Sequence, residues 1–260
     1  MQKAIQTVLS LMAALLFLAG IGIIAYPSVN KIMVDKSITK EVSAFLDREN
    51  PDPQISVSSQ PESIFPTEVL SEVPKEHRAL WEAMYAYNEE IHENHQVQTS
   101  NSGIFAHAPF TLSDYDLDSE VFGILSIPAI ELEMPILLGA SEQNMIEGCG
   151  VLNQTSIPIG GINTNCVIGG HRGYQGAEYF LHVPDLVPGD EVIITNLWET
   201  LTYVVVDKTI IDPYAVDEIL IQEGKDMVTL MTCHPYASGG KQRYLIYCER
   251  QSGSDSILTE

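Results

Sequence analysis

Residues 4–26 carry no charge and read AIQTVLSLMAALLFLAGIGIIAY. At 23 residues, the run is long enough to cross a hydrocarbon core of about 30 Å as a helix. A cleaved signal peptide would carry a shorter apolar stretch, roughly 7–15 residues, and a small-residue cleavage site. This run is longer and ends at Tyr26-Pro27, with the tyrosine suited to a membrane interface. An uncleaved anchor over residues 1–27 is the expectation. Lys3 lies on one side of the run and Lys31 and Lys36 on the other, so the positive-inside rule leaves its orientation open.

The pattern then becomes helical. Val29, Ile32, Met33, Val42, Phe45 and Leu46 recur at helix-like intervals over 28–50. From 51 to 74, five prolines and five serines without periodicity read as a linker. A second helix is predicted over 75–95, with Pro74 at its start and Leu80, Trp81, Met84, Tyr87 and Ile91 near one face. After residue 120 the texture changes to short Val-, Ile- and Leu-rich runs broken by Pro, Gly, Asn and Asp. VFGILSIP, LEMPILL, GVLNQT, CVIGGH, EVIITN, LTYVVVDKTII, MVTLMTC and RYLIYC follow in order. Eight such strands predict a mainly β domain, a barrel or sandwich, over 120–250. Short helical inserts are expected at 141–147, 177–183 and 217–220. Residues 28–119 then form a helical, linker and loop region, and 251–260 a polar tail.

Charge narrows the function. The chain has 35 acidic and 13 basic side chains, a formal net charge of −22, so its field repels a phosphate backbone and no nucleic-acid partner is expected. Region 41–120 alone holds 16 acidic and three basic side chains, read as a solvated surface. Four cysteines in 260 residues are too few for a disulfide scaffold. No CxxC, HExxH or phosphate-binding loop is present, and neither cofactor nor metal is expected. The Asp114, Asp116 and Asp118 run lacks the glycine and distant glutamate of a calcium loop and reads as a turn.

Cys233 closes the run VTLMTC, His171 closes VIGGH, and Arg243 opens the next strand ten residues after the cysteine. A hairpin between the last two strands would bring Cys233 and Arg243 to adjacent strand ends. Thiol catalysis needs a thiolate, a proton donor for the leaving amine and a group for the oxyanion; Cys, His and Arg supply one each. A cysteine at a strand end is more often a small buried hydrophobe, so spacing alone leaves the set open. Cys149, Cys166 and Cys248 lie in or beside strands and read as buried thiols.

The stretch TLMTC with a downstream arginine resembles the sortase signature Thr-Leu-x-Thr-Cys…Arg. GVLNQTSIPIGGINTNCVIGGHRGY, LVPGDEVII and ILIQEGKDMVTLMTCHPY are similar, in order, to segments of the class C, pilus-building members. The resemblance implies an eight-stranded sortase barrel and a transpeptidase acting on an LPxTG-like sorting signal. Cys233 would form a thioacyl intermediate, His171 would carry the proton and Arg243 would hold the oxyanion. Thr232, beside the nucleophile, is a candidate substrate contact. The implied acceptor is a pilin lysine. The alternatives are a wall-peptide amine used by a sortase of another class, and a non-catalytic surface binding module. The implied location is the cell membrane, single-pass, with the catalytic domain outside.

Departures from the family pattern fall in three places. Tyr87-Asn88 match a pair in the family's preceding helix, but Ala108-Pro109-Phe110 replace the Asp-Pro-aromatic lid. Class C members commonly carry a second apolar helix near the C-terminus, whereas 251–260 is polar. The loop GGKQR makes Lys241 a rival to Arg243, although a planar guanidinium suits an oxyanion better. His234 is a second candidate acid. If Phe110 covers the site, Phe110→Ala should speed modification of Cys233 by a small thiol reagent; equal rates in the two proteins would remove the lid.

Overall fold

A computed structural model describes residues 2–49, 73–96 and 110–251. Most of the expected linker, Ala108 and Pro109 of the lid, and residues 252–260 lie outside the described residues.

The first element, α1 (Gln2–Glu49), is one 48-residue helix, about 72 Å long at 1.5 Å per residue. It runs through Pro27, where two separate helices were expected. Proline removes one i→i−4 hydrogen bond, and contacts on both sides of it hold the helix in one piece. The second half buries the later part of the stripe its spacing suggested, with Val34 and Ile38 in place of the earlier part. Val34, Ile38, Val42, Phe45 and Leu46 pack on the core, while Val29, Ile32 and Met33 face outward. From Leu9 to Ile24 the large apolar side chains are exposed, and by length and composition this part of the helix is able to cross a membrane.

The barrel follows. Its strands are β1 (Val121–Ile127), β2 (Leu132–Leu138), β3 (Cys149–Val151), β4 (Thr164–Gly169), β7 (Glu191–Asn196), β8 (Thr200–Ile211), β9 (Asp226–His234) and β10 (Gln242–Arg250). They close in the order β1-β2-β3-β4-β9-β10-β8-β7, so the eight-stranded barrel implied by the resemblance is the fold observed. β2/β3 and β4/β9 pair in parallel and the other neighbours antiparallel.

Burial explains the run compositions. β4 is buried at every position and β9 through most of its length, which is why both read as near-continuous apolar runs. β7 alternates, because its outer face meets solvent. The interior is filled by Phe122, Leu125, Ile136, Ile168, Ile194, Val228, Leu230 and Ile246. A smaller cluster of Leu152, Val167, Ile219, Met231 and Leu245 lies under the β8–β9 crossover.

Parallel neighbours need a crossover. The β2–β3 link holds the short helix α3 (Glu142–Glu147), capped by Ser141, whose Oγ accepts from Asn144 N at 3.1 Å. A 3-10 turn at Val216–Ile219 stands where the third insert was expected. Residues 177–182 are not helical. They supply β6 (Ala177–Tyr179), which pairs with β5 (Arg172–Tyr174), and the segment leading into a 3-10 turn at Val183–Asp185. Gln175 and Gly176 both take positive φ, 49° and 95°, and a two-residue turn of that kind closes a hairpin.

The helix α2 (Arg78–Glu93) straps the loop that leads into β4. Asn88 is buried and works in both directions, accepting from Ile157 N at 2.8 Å and donating to Ile157 O at 3.2 Å. Tyr87 Oη accepts from Gln154 N at 3.2 Å. Gln96 donates to Gln154 O and accepts from Ile221 N, at 2.9 and 2.7 Å. Asn88→Ala leaves two buried backbone groups unpaired, at about 2 kcal/mol. The thermal midpoint should fall by roughly 4–8 °C. An unchanged midpoint by circular dichroism would show that water or rearrangement replaces the strap.

Candidate active site

Three strands ending at one pole assemble the site. β9 and β10 are antiparallel with Cys233 directly opposite Arg243. β4 runs parallel to β9, with Gly169 beside Met231. The pairing persists beyond the strand, because Gly170 N donates to Met231 O at 3.1 Å. Two places further along this register, His171 reaches the level of Cys233, on strands about 5 Å apart. Residues 62 and 72 positions distant from His171 in sequence are thus gathered by pairing alone.

Cys233 is a free thiol and partly exposed, whereas Cys149, Cys166 and Cys248 are free and buried. Burial pushes the thiols of all three well above the ordinary range, which leaves them inert. The Arg243 guanidinium donates from Nη1 to Gly240 O at 2.7 Å and to Gln242 O at 3.1 Å. These bonds fold it onto its own hairpin beside the nucleophile. Gly240 sits at the join with φ +76°. A methyl group there would stand 3.0 Å from Arg243 Nη1 and 3.4 Å from Cys233 Sγ, so the position requires glycine. Lys241, in the same loop, is exposed.

His171 lies flat against Tyr174, with ring centroids 4.6 Å apart and an interplanar angle of 15°, and meets Tyr179 edge-on at 5.9 Å. Its Nε2 is buried and has no hydrogen-bond partner among the described residues. Desolvation lowers its pKa, opposed in part by the charge of Glu142. The imidazole is therefore predominantly neutral at pH 7 and able to accept a proton. His234 is engaged elsewhere, since its Nδ1 accepts from Arg172 Nη1 at 2.9 Å. Adjacent strand residues point to opposite faces, and this bond keeps His234 on the side away from Cys233. A thiol, a neutral imidazole and a guanidinium at one strand edge are the components of acyl transfer through a thioester.

Thr232 is buried, and its Oγ1 donates to Gly170 O at 2.9 Å. That hydroxyl braces the histidine-bearing strand end against the nucleophile strand, and is not presented to a substrate. Of the lid, only Phe110 is described; its ring stands edge-on to Tyr87 at 5.7 Å. Sequence reading passed over Tyr174, Tyr179, Arg172 and Glu142. An aromatic three residues after the histidine, in His-Arg-Gly-Tyr, was the available signal. Among the described residues, no group of three or more His, Cys, Asp or Glu side chains is placed to hold a metal ion.

Residues 125–251 match the model of the sortase domain. Sortase D of Bacillus subtilis is 31% identical over 130 residues, covering 49% of this chain and 63% of that protein. The chain spans less than two thirds of the length of the curated relatives it matches. Among solved structures, sortase C1 of group B Streptococcus pilus island 1 is similar with a TM-score of 0.60 and 28% identity, over 71% of this chain and 94% of that one. Sortase C from Clostridium perfringens aligns with a TM-score of 0.57 and 30% identity, over 71% and 95%.

The difference in burial sets up a labelling experiment. A small alkylating reagent at pH 8 should add once to the native chain, on Cys233, and to the other three thiols only after denaturation. Native modification of any second cysteine, read by peptide mass spectrometry, would contradict this arrangement.

Proposed function

This chain belongs to the sortase family, and from that premise we propose that it is a membrane-anchored cysteine transpeptidase of the pilus-assembling kind. The observation that carries the reading is the strand register, which sets Cys233 opposite Arg243 and leads His171 to the same level. Similarity to sortases C, one of them from a pilus island, supports the class.

The reaction runs in two halves. Cys233 Sγ passes its proton to His171 and attacks the threonine carbonyl of an LPxTG-like signal. Arg243 donates hydrogen bonds to the oxyanion that forms. Collapse breaks the Thr–Gly bond, and His171 returns its proton to the departing glycine amine, leaving a thioester on Cys233. A lysine amine then attacks the thioester, His171 accepts its proton, and the thiol leaves as an isopeptide forms. Lowered basicity helps His171 here, because a weakly basic imidazole gives its proton up readily to the leaving amine. Helix α1 anchors the enzyme, with its N-terminus in the cytoplasm and the barrel outside.

A second reading, transfer to a wall-peptide amine by a sortase of another class, is favoured by the curated relatives, which are sortases D and A. The test uses the full chain in detergent micelles with an LPxTG-type peptide, with and without a lysine-bearing pilin domain. A Cys233 adduct and a lysine-linked product are expected by mass spectrometry. Cys233→Ala should abolish both, and His171→Ala should cost about 10²–10⁴-fold in rate. An adduct resolved only by water or a wall-peptide amine would move the chain to the second reading. Biological activity surviving Cys233→Ala would leave a binding module.

A further inference from the structure

The hairpin β5–β6 begins one residue after His171, and Phe180 N donates to His171 O at 2.9 Å, closing its base on the histidine itself. Both rings that flank the imidazole, Tyr174 and Tyr179, belong to this hairpin. It forms its own two-stranded sheet, outside the barrel ladder. Such a ribbon is marginal by itself and takes its position from whatever it packs against.

It packs against α1 where the apolar run ends. Tyr26 Oη donates to Gln175 Oε1 and Asn30 Nδ2 donates to Gln175 O, both at 2.9 Å. Lys31 pairs with Glu178. Gly176 lies so close to the helix that a methyl group on it would stand 2.4 Å from Pro27 O. Tyr26 closes the apolar run just before Pro27, and Lys31 is the first charged residue after it, so these contacts lie at the level where the helix leaves the membrane. Gln175 lies four positions after His171, a reach of at most about 13 Å. Across the same helix, Val29, Ile32 and Met33 face outward.

We infer that the membrane exit of α1 is a positioning element for His171, with Tyr26, Asn30 and Lys31 holding the hairpin that cradles the imidazole. The inference rests on the function proposed above only for the rate it controls; the placement of His171 is measurable without turnover. Release of the hairpin would loosen the Tyr174 stack and admit water to the imidazole. The titratable and charged groups around His171 are Glu142 of α3, Tyr174 of β5 and Tyr179 of β6, with Cys233 of β9 and Arg243 of β10 at the same strand level. Water entry would relieve the desolvation that holds its pKa down.

The test uses the full chain in micelles with labelled histidine, His171 being assigned through His171→Gln. Lys31→Glu and Glu178→Lys each place like charges at the clamp, and the double exchange restores the pair. Each single variant should lower kcat about five-fold, equivalent to about 1 kcal/mol, with KM within two-fold. Each should also raise the His171 titration midpoint toward the ordinary histidine value, and the double exchange should reverse both changes. Lys36→Glu, one turn beyond, should change neither.

Single variants that titrate and turn over like wild type would overturn the inference. So would a loss of rate without a shift in the His171 titration, or one that the double exchange does not restore, since either marks a general structural effect. If the wild type turns over no sorting peptide, the proposed function fails while the titrations still decide the clamp.

Discussion

Parallel pairing of β4 with β9 is the constraint on which the rest of the molecule depends. Two parallel neighbours end at the same pole, so the histidine after β4 and the cysteine near the end of β9 meet at one edge without any side-chain recognition. Their adjacency keeps β4 buried at every position and β9 through most of its length, which is why both strands are predominantly apolar. The join is completed by two hydrogen bonds at Gly170, whose carbonyl accepts from Thr232 and whose N–H donates to Met231 O. Arg243 needs only the β9–β10 hairpin to arrive opposite the nucleophile.

The other pole of the same strands is built from different chemistry. Asp226 opens β9 and accepts from Gly161 N and Tyr203 Oη, both at 3.0 Å, while Arg250 lies over the Tyr203 ring at 5.4 Å. Desolvation raises the carboxyl groups of Asp226 and Glu199, the latter to about 7, and the nearby Arg250 opposes both shifts. Asp226, partly buried and fastened to the Gly161 backbone N–H, fixes where β9 begins. A one-residue slip there would turn Cys233 away from the cleft. The far pole thus sets the register that the catalytic pole uses.

Helix α1 ties its apolar span to this arrangement twice. Its distal half covers β1 and β2 with Val42 and Phe45, and its exit segment grips the β5–β6 hairpin. Glycine at 176 permits the closest approach, because only a residue without Cβ fits against the Pro27 carbonyl. Span, hairpin and histidine therefore form one mechanical path into the cleft.

The pattern of apolar residues determined the candidate span and the strands of the barrel, since each is a local signal: an uncharged run and a strand-length cluster. Family resemblance added the eight-stranded barrel and the expected roles of Cys233, His171 and Arg243, and the structure supplied the order in which the strands close. Features that depend on distant partners were decided only by tertiary structure. Pro27 sits mid-helix because the chain on both sides of it has other contacts, and 177–182 is no helix because Gln175-Gly176 turns back toward α1. Val34 and Ile38, not Val29 and Ile32, face inward because the barrel lies on that side. Thr232 reads as a motif residue beside the nucleophile, yet its hydroxyl belongs to Gly170, 62 positions away. A side chain's spacing reports its element. Its partner depends on which surface the rest of the chain brings against it, and that is fixed only on folding.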